Sequence, residues 1–197
     1  MSLLSISLVL FLIMDPIGNV SSFLFMVRGI EPKRQAQILV REMLIALLTM
    51  MAFNFLGEYI FNLLELSETT VRISSGVILF LVALQILFPT LDGYRENLPQ
   101  EEPFIIPLAI PLIAGPSLLA TIMLYAHMEE SQPLMLGAIL IAWAAAVAVL
   151  LSSRYLFRAL GPNGLMACEK LMGMVLILLA IQRFLDGIYQ FIADLNA

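Results

Sequence analysis

The sequence has little charge, one cysteine and one histidine. Only 13% of its 197 residues are charged and 61% are hydrophobic, whereas about a quarter of the residues in a soluble domain are charged. Cys168 alone forms neither an internal disulfide nor a metal cluster. The chain also lacks the basic run that nucleic-acid binding would require. These absences exclude a soluble domain, a disulfide scaffold and a nucleic-acid-binding protein, and they predict no metal and no cofactor.

The hydrophobic residues fall into long uncharged blocks of roughly 20 residues, the length that crosses ~30 Å of hydrocarbon. The first block has neither a basic start nor a small-residue cleavage site, so we expect an uncleaved span rather than a signal peptide. The sequence therefore predicts an all-α polytopic protein, a single integral membrane domain over residues 1–197 embedded in the lipid bilayer. Its six predicted transmembrane helices cover residues 3–27, 43–64, 71–88, 104–127, 134–153 and 168–189.

Basic residues are distributed unequally between the two sides of these spans. Only Arg72 and Arg183 lie on one side. By the positive-inside bias the opposite, richer side faces the cytoplasm, which places both termini outside the cell membrane. The eight residues of the cytoplasmic set are Arg28, Lys33, Arg34, Arg41, Arg95, Arg154, Arg158 and Lys170.

Two of the predicted spans are interrupted by helix-breaking residues. Residues 15–19 (sequence DPIGN) lie within the first span, and residues 114–117 (AGPS) lie within the fourth. Polar or broken backbone at membrane depth is tolerated only where protein or a water-filled cavity surrounds it. Two interrupted helices at corresponding places are the sequence signature of a transporter's binding site.

The two halves of the chain resemble each other weakly. An offset of 100 residues matches Pro16 with Pro116 and Ser21 with Thr121, and an offset of 97 matches Gln85 with Gln182. Each half has three predicted spans, and an odd number forces the two copies to face opposite ways. We therefore predict two inverted three-helix repeats with broken first and fourth helices. The repeats cover residues 1–88 and 104–197, joined by a cytoplasmic linker over 89–103.

Each break has the residues that start a helix. Proline is favoured at the first helical position, with Asp or Gly before it as the N-cap, so Pro16 and Pro116 each predict a second half-helix. A helix start exposes unpaired N–H groups and carries about half a positive charge. The second start has no anionic cap and suits a substrate carboxylate, whereas Asp15 suits a substrate ammonium. The predicted zwitterion site comprises Asp15, Gly18, Asn19, Gly115, Ser117 and Leu118.

Other interpretations of the residues at the two breaks stay open at this point. The alternative for Asp15 is a purely structural N-cap of a kinked span, although an acid at membrane depth is functional by default. If it does bind, protonation of Asp15 and binding of sodium are equal candidates for coupling to an ion gradient. Asn19 and Ser21 either satisfy freed backbone groups or contact substrate. Thr121 is placed with Ser21 as a further candidate for the polar lining.

Three further sets of polar residues each have two interpretations. Gln85 and Gln182 either bond between helices, as such residues do in membrane bundles, or line a polar path. Glu58 belongs to a stripe with Asn54 and Asn62 that either lines an outward vestibule or forms a polar helix end. His127 is expected to be a solvated interfacial side chain rather than a ligand or a base.

Several of these motifs together resemble the MarC family of small six-span bacterial membrane proteins. They are residues 14–19 (MDPIGN), 31–34 (EPKR), 107–112 (PLAIPL), 114–116 (AGP) and Arg41-Glu42. Ser75 departs from the pattern, where a glycine is expected. The resemblance covers nearly the whole chain and implies kinship with LysE-like transporters and a bacterial inner membrane location, which makes the predicted termini periplasmic. Family labels include small neutral amino acid transport and multiple antibiotic resistance.

The leading expectation is thus a secondary transporter of small neutral amino acids, with export favoured by the LysE-like kinship. The alternative is a non-transporting accessory or assembly protein, and a homo-oligomer is open in either case. An enzyme is not expected. Aspartyl chemistry needs two facing acids and only Asp15 lies deep, Ser117 and His127 lack a third orienting group, and no His-Glu-x-x-His zinc motif occurs.

Overall fold

A computed structural model describes residues 2–63, 65, 67–88, 108–129 and 131–195, without the side chains of Glu58, Phe61 and Asn62. Every regular element in these residues is helical, which confirms the all-α prediction. The predicted linker over 89–103 lies outside the described residues. The elements are α1 (Leu3–Met14), α2 (Asn19–Met26), α3 (Pro32–Leu63), α4 (Glu68–Leu87), a π-helical segment (Leu108–Ile113), α5 (Pro116–Met128), α6 (Gln132–Leu151) and α7 (Ser153–Leu195). The π-helical segment is kinked at Ile110, whose backbone is extended (φ −134°, ψ 125°).

Four helices are long and apolar enough to cross a membrane by themselves: residues Pro32–Gly57 of α3, and α4, α6 and α7. Helices α1 and α2 are bent by 48° at the break between them and together form a fifth candidate span. Helix α5 is apolar but has only 13 residues. The chain is therefore polytopic with four or five candidate spans. The count of six and the inverted repeat stay predictions.

Two helices are longer than the sequence indicated. Helix α3 begins at Pro32, well before the predicted start at 43, because the charged and polar residues between them are good helix formers and continue the helix. The stretch between the fifth and sixth predicted spans (154–167) is also helical apart from a kink, since α7 begins at Ser153 and covers it. Only Gly161 interrupts α7, with φ 66° and ψ 177°, a conformation that glycine alone adopts readily, and Pro162 restarts the helix.

Helices α4 and α7 pack at close range through glycines. A Cβ atom at Gly76 would lie 2.9 Å from the backbone nitrogen of Phe184, and one at Gly173 would lie 3.0 Å from Ile86. Small residues allow the backbones of membrane helices to approach this closely. Between these contacts lies a small separate core of Leu79, Ala83, Leu176 and Ala180.

The main core joins α1, α2, α3, α5 and α6 with the π-helical segment. Alanines on one face of α6 lie in it, at Ala138, Ala142 and Ala146, each at most 1% exposed. Trp143 points off that face, and its indole Nε1 donates a hydrogen bond to the backbone oxygen of Met43 at 2.8 Å. Helix α6 is thereby fixed against α3, and it also packs along α1 of the broken first span.

Candidate functional site

The first break is built around Asp15, which is buried at 5% exposure. Its backbone adopts the left-handed conformation (φ 43°, ψ 56°) and ends α1. Its Oδ1 accepts a hydrogen bond from the Gly18 N–H at 3.1 Å, and its carbonyl accepts one from the Asn19 N–H at 3.0 Å. Asp15 therefore closes one helix and caps the next. The Oδ2 atom makes no hydrogen bond with the described residues.

The sequence predicted that the second half-helix begins at Pro16, and this start is wrong by three residues. Residues 16–18 form a turn and regular α2 begins at Asn19. The Val20 N–H donates a hydrogen bond to the carbonyl of Ile17, three residues earlier (3.2 Å). This spacing gives a tighter turn than that of an α-helix. Pro16 is buried within this turn.

Gly18 and Asn19 hold the break in shape. A Cβ atom at position 18 would overlap the Asp15 carboxylate, so only glycine permits this position of the acid. The Asn19 Nδ2 donates to the Met14 carbonyl at 2.9 Å, which satisfies a backbone group that the break leaves without a helical partner. Asn19 thus satisfies a freed backbone group, the first of the two roles predicted for it. Ser21, two residues later, is half-buried.

The second break lies between the π-helical segment and α5. Gly115 is extended (φ −75°, ψ 163°) and forms no side-chain cap, and Pro116 takes the first helical position, as expected from the sequence. Ser117 is 5% exposed, yet its Oγ has no hydrogen-bond partner among the described residues. Leu118 is buried behind it. The start of α5 therefore presents hydrogen-bonding groups that no described acceptor or donor uses.

Both breaks adjoin one core. Met14 and Val20 flank the first, Ala114 and Leu118 flank the second, and all four belong to the same buried cluster. Two surface hollows lie elsewhere, around Leu24, Arg154, Phe157 and Arg158 and along residues 36–44. Asp15 and Ser117 are each 5% exposed and are therefore enclosed by protein in this conformation.

A cation from α7 completes the surroundings of α5. Arg183 Nη1 donates to Thr121 Oγ1 at 2.6 Å, and its Nη2 donates to the Tyr125 hydroxyl at 3.0 Å. The guanidinium carbon lies 5.3 Å from the centre of the Tyr125 ring. The Thr121 hydroxyl in turn donates to the Ser117 carbonyl at 2.7 Å. Sequence reasoning used Arg183 only for orientation, although a charge inside the last apolar run was a signal.

Two acids near the core were also missed. Glu42 of α3 is fully buried, and its Oε1 lies 2.9 Å from both Nε and Nη2 of Arg41. It precedes the predicted second span by one residue, where an acid was taken to be outside the membrane. Glu169 of α7 lies close enough to Asp15 for the two charges to interact, so the acid at the first break is not isolated.

The remaining predicted lining residues are not brought to the breaks. Gln85 and Gln182 are both exposed, and Gln182 donates to Asp186 in its own helix at 2.8 Å. The side chain of Glu58 lies outside the described residues. Its stripe neighbour Asn54 is buried and donates to Gln132 at 3.1 Å. His127 is not isolated, since its Nε2 lies 3.7 Å from Glu68 Oε1.

The helical fold, the apolar spans and the enclosed breaks define a polytopic α-helical membrane protein with discontinuous helices. The sequence profile described as "MarC family integral membrane protein" matches residues 1–192. The chain belongs to the MarC family, and it is a multi-pass protein of the bacterial inner membrane.

Relatives with the same length support this assignment. The chain is 48% identical over 188 residues to the "UPF0056 inner membrane protein YhgN" of Escherichia coli K12, covering 94% of this chain and 95% of that one. It is 47% identical to a "UPF0056 membrane protein" of Buchnera aphidicola (94% and 96% covered) and 31% identical to one of Pyrococcus abyssi (91% and 90%). These names designate membrane proteins. No solved structure matches the chain.

Proposed function

We propose that the protein is a secondary transporter of small neutral amino acids, with export as the favoured direction. The observation that carries the proposal is the unequal chemistry of the two breaks. Asp15 supplies an anion at the first, whereas the second is a helix start without a side-chain cap and with an orphan hydroxyl at Ser117. A zwitterion matches this pair of sites in charge.

In the proposed complex the substrate ammonium binds Asp15 and the carboxylate binds the start of α5. The Oδ1 of Asp15 is used by Gly18, which leaves Oδ2 for the ligand. The carboxylate would take the N–H groups of Ser117 and Leu118, because the first N–H groups of a helix have no intrahelical acceptor. A small side chain is favoured because buried apolar residues such as Met14 and Leu118 flank both breaks.

The proposal includes six spans arranged as two inverted repeats, with both termini in the periplasm. The small core between α4 and α7 supports it, since Leu79 and Leu176, and Ala83 and Ala180, are each 97 positions apart. Equivalent residues of the two halves therefore meet at one interface. Enclosed breaks would then represent an occluded state, opened to each side in turn by movement of one repeat against the other.

Coupling to a cation gradient follows from the same geometry. The acids Asp15 and Glu169 lie close enough to interact, and an intramembrane acid is a frequent proton or sodium site. A non-transporting accessory protein remains the second candidate. It is favoured by the bonds of Asp15 and Asn19 to the backbone, which stabilise the kink without any ligand.

Flux measurements distinguish the two candidates. The full chain is reconstituted in proteoliposomes, and uptake and efflux of labelled alanine, glycine, serine and branched amino acids are measured with and without pH or sodium gradients. The transporter predicts flux that Asp15→Asn lowers at least tenfold, while the exposed control Glu31→Gln leaves it unchanged. An accessory protein predicts no flux above empty liposomes for the folded wild-type chain.

A further inference from the structure

A polar stripe runs along the otherwise apolar helix α5. Ser117, Thr121 and Tyr125 are spaced by four residues and so share one face. Arg183 of α7 lies against this face, bonded to Thr121 and Tyr125. The Thr121 hydroxyl connects Arg183 to the Ser117 carbonyl through two hydrogen bonds of 2.6 and 2.7 Å. Arg183 therefore lies beside the second and third turns of α5, one turn away from its start.

The charge of Arg183 is not neutralised by direct contact. A guanidinium has five N–H donors, and the two bonds shown go to neutral oxygens. No carboxylate of the described residues forms a salt bridge with it. Asp186 acts on it only from a distance and is bonded to Gln182. Such a cation within a spanning helix is costly and normally has a partner.

The start of α5 carries the same sign of charge. Ser117 lies one helical turn, about 6 Å, from Thr121, and its buried Oγ is an unpartnered hydroxyl. The N-terminal N–H groups and the helix dipole add roughly half a positive charge there. The guanidinium thus lies about one helical turn from the Ser117 hydroxyl and the helix start, and no carboxylate of the described residues bonds to any of the three.

We propose that Arg183, Ser117 and the start of α5 form a subsite for a carboxylate. The proposal rests on the proposed function, because the carboxylate would be that of the transported amino acid. Arg183 adds charged donors to a site that otherwise consists of backbone N–H groups and the Ser117 hydroxyl. The planar fork of a guanidinium fits two oxygens of one carboxylate. Arg183 carries one positive charge and the start of α5 carries about half of one. Together they match a monoanion better than a dianionic phosphate.

Thermal unfolding of the purified full chain in detergent tests the subsite without requiring transport. L-Alanine and acetate carry the carboxylate, alaninamide lacks it, and sodium chloride controls for ionic strength. A ligand that binds only the folded state raises Tm. We expect alanine and acetate at millimolar concentration to raise Tm, and alaninamide and chloride to leave it unchanged. Arg183→Gln should weaken the response about tenfold or more, whereas Arg158→Gln, an exposed arginine, should keep it.

Ser117→Ala keeps the test decisive if Arg183→Gln fails to fold. Removing an unpartnered buried hydroxyl should preserve or raise Tm without ligand, while the shift caused by carboxylates decreases. A purely structural hydroxyl would not change the ligand response.

The outcomes separate this subsite from the proposed function. An alanine response that is equal in wild type and Arg183→Gln overturns the subsite and leaves amino acid transport standing. An acetate response that depends on Arg183, without any alanine flux in proteoliposomes, supports the subsite and contradicts amino acid transport. Absence of any carboxylate response in the wild type overturns the subsite.

Discussion

The carboxylate of Asp15 and the backbone nitrogen of Gly18 are joined by a 3.1 Å hydrogen bond across the break between α1 and α2. The two residues also exclude any larger side chain, since a Cβ atom at position 18 would occupy the space of the carboxylate. The shape of the break and the position of its acid are therefore one structural feature. Any function of Asp15 depends on the absence of a side chain three residues later.

Gly18→Ala is expected to destabilise the protein by about 1–3 kcal/mol, because the new methyl group displaces the Asp15 carboxylate. The measurement is Tm and denaturant unfolding of the detergent-purified chain. In an Asp15→Ala background the same change should cost less than 1 kcal/mol, because the clashing group is gone. Equal costs in both backgrounds would show that the two residues do not interact.

Asn19→Ala removes the hydrogen bond to the Met14 carbonyl and leaves that group unsatisfied in the core. We expect a loss of about 1–3 kcal/mol in the free energy of unfolding. Asn163→Ala is the matched control, because Asn163 is exposed and its replacement should change stability by at most about 0.5 kcal/mol. If the two variants are equally stable, Asn19 does not hold the break.

Gly76→Ala tests the close contact between α4 and α7. Its methyl group would meet backbone atoms of α7, with the Phe184 nitrogen at 2.9 Å, and rigid backbone cannot yield locally. The helices should separate and the variant should lose about 1–3 kcal/mol of stability. Gly137→Ala is the control, since its methyl group would meet only the end of the Leu3 side chain at 3.2 Å. If Gly137→Ala destabilises the protein as much as Gly76→Ala does, the close packing of α4 on α7 is contradicted.

Sequence alone predicts the features that depend on local chemistry. The breaks near Asp15 and Gly115 follow from proline and glycine inside apolar runs, and the structure has them at those places. The ends of α3 and α7 were missed because helix continues past the bilayer length into polar residues. Apolar content predicts which residues lie within lipid, and it does not predict how far the helix extends beyond them.

The parts of the site that sequence does not predict are those made by contacts between distant segments. Arg183 and Thr121 are 62 positions apart and meet only through the packing of α5 with α7. The burial of Glu42 likewise depends on which face of α3 turns inward. Gln85 and Gln182 matched in sequence, yet they occupy exposed faces, because an offset contains no information about helix rotation.

We propose that substrate binds in an enclosed polar site between the two breaks. The chain has one cysteine, so Cys168→Ser provides a cysteine-free background for Ser117→Cys. The direct measurement is the rate at which a small membrane-impermeant thiol reagent labels Cys introduced at 117 in proteoliposomes. We predict slow labelling that millimolar alanine suppresses severalfold and alaninamide does not. Labelling that alanine leaves unchanged, or complete resistance from both sides under every gradient, would contradict the account.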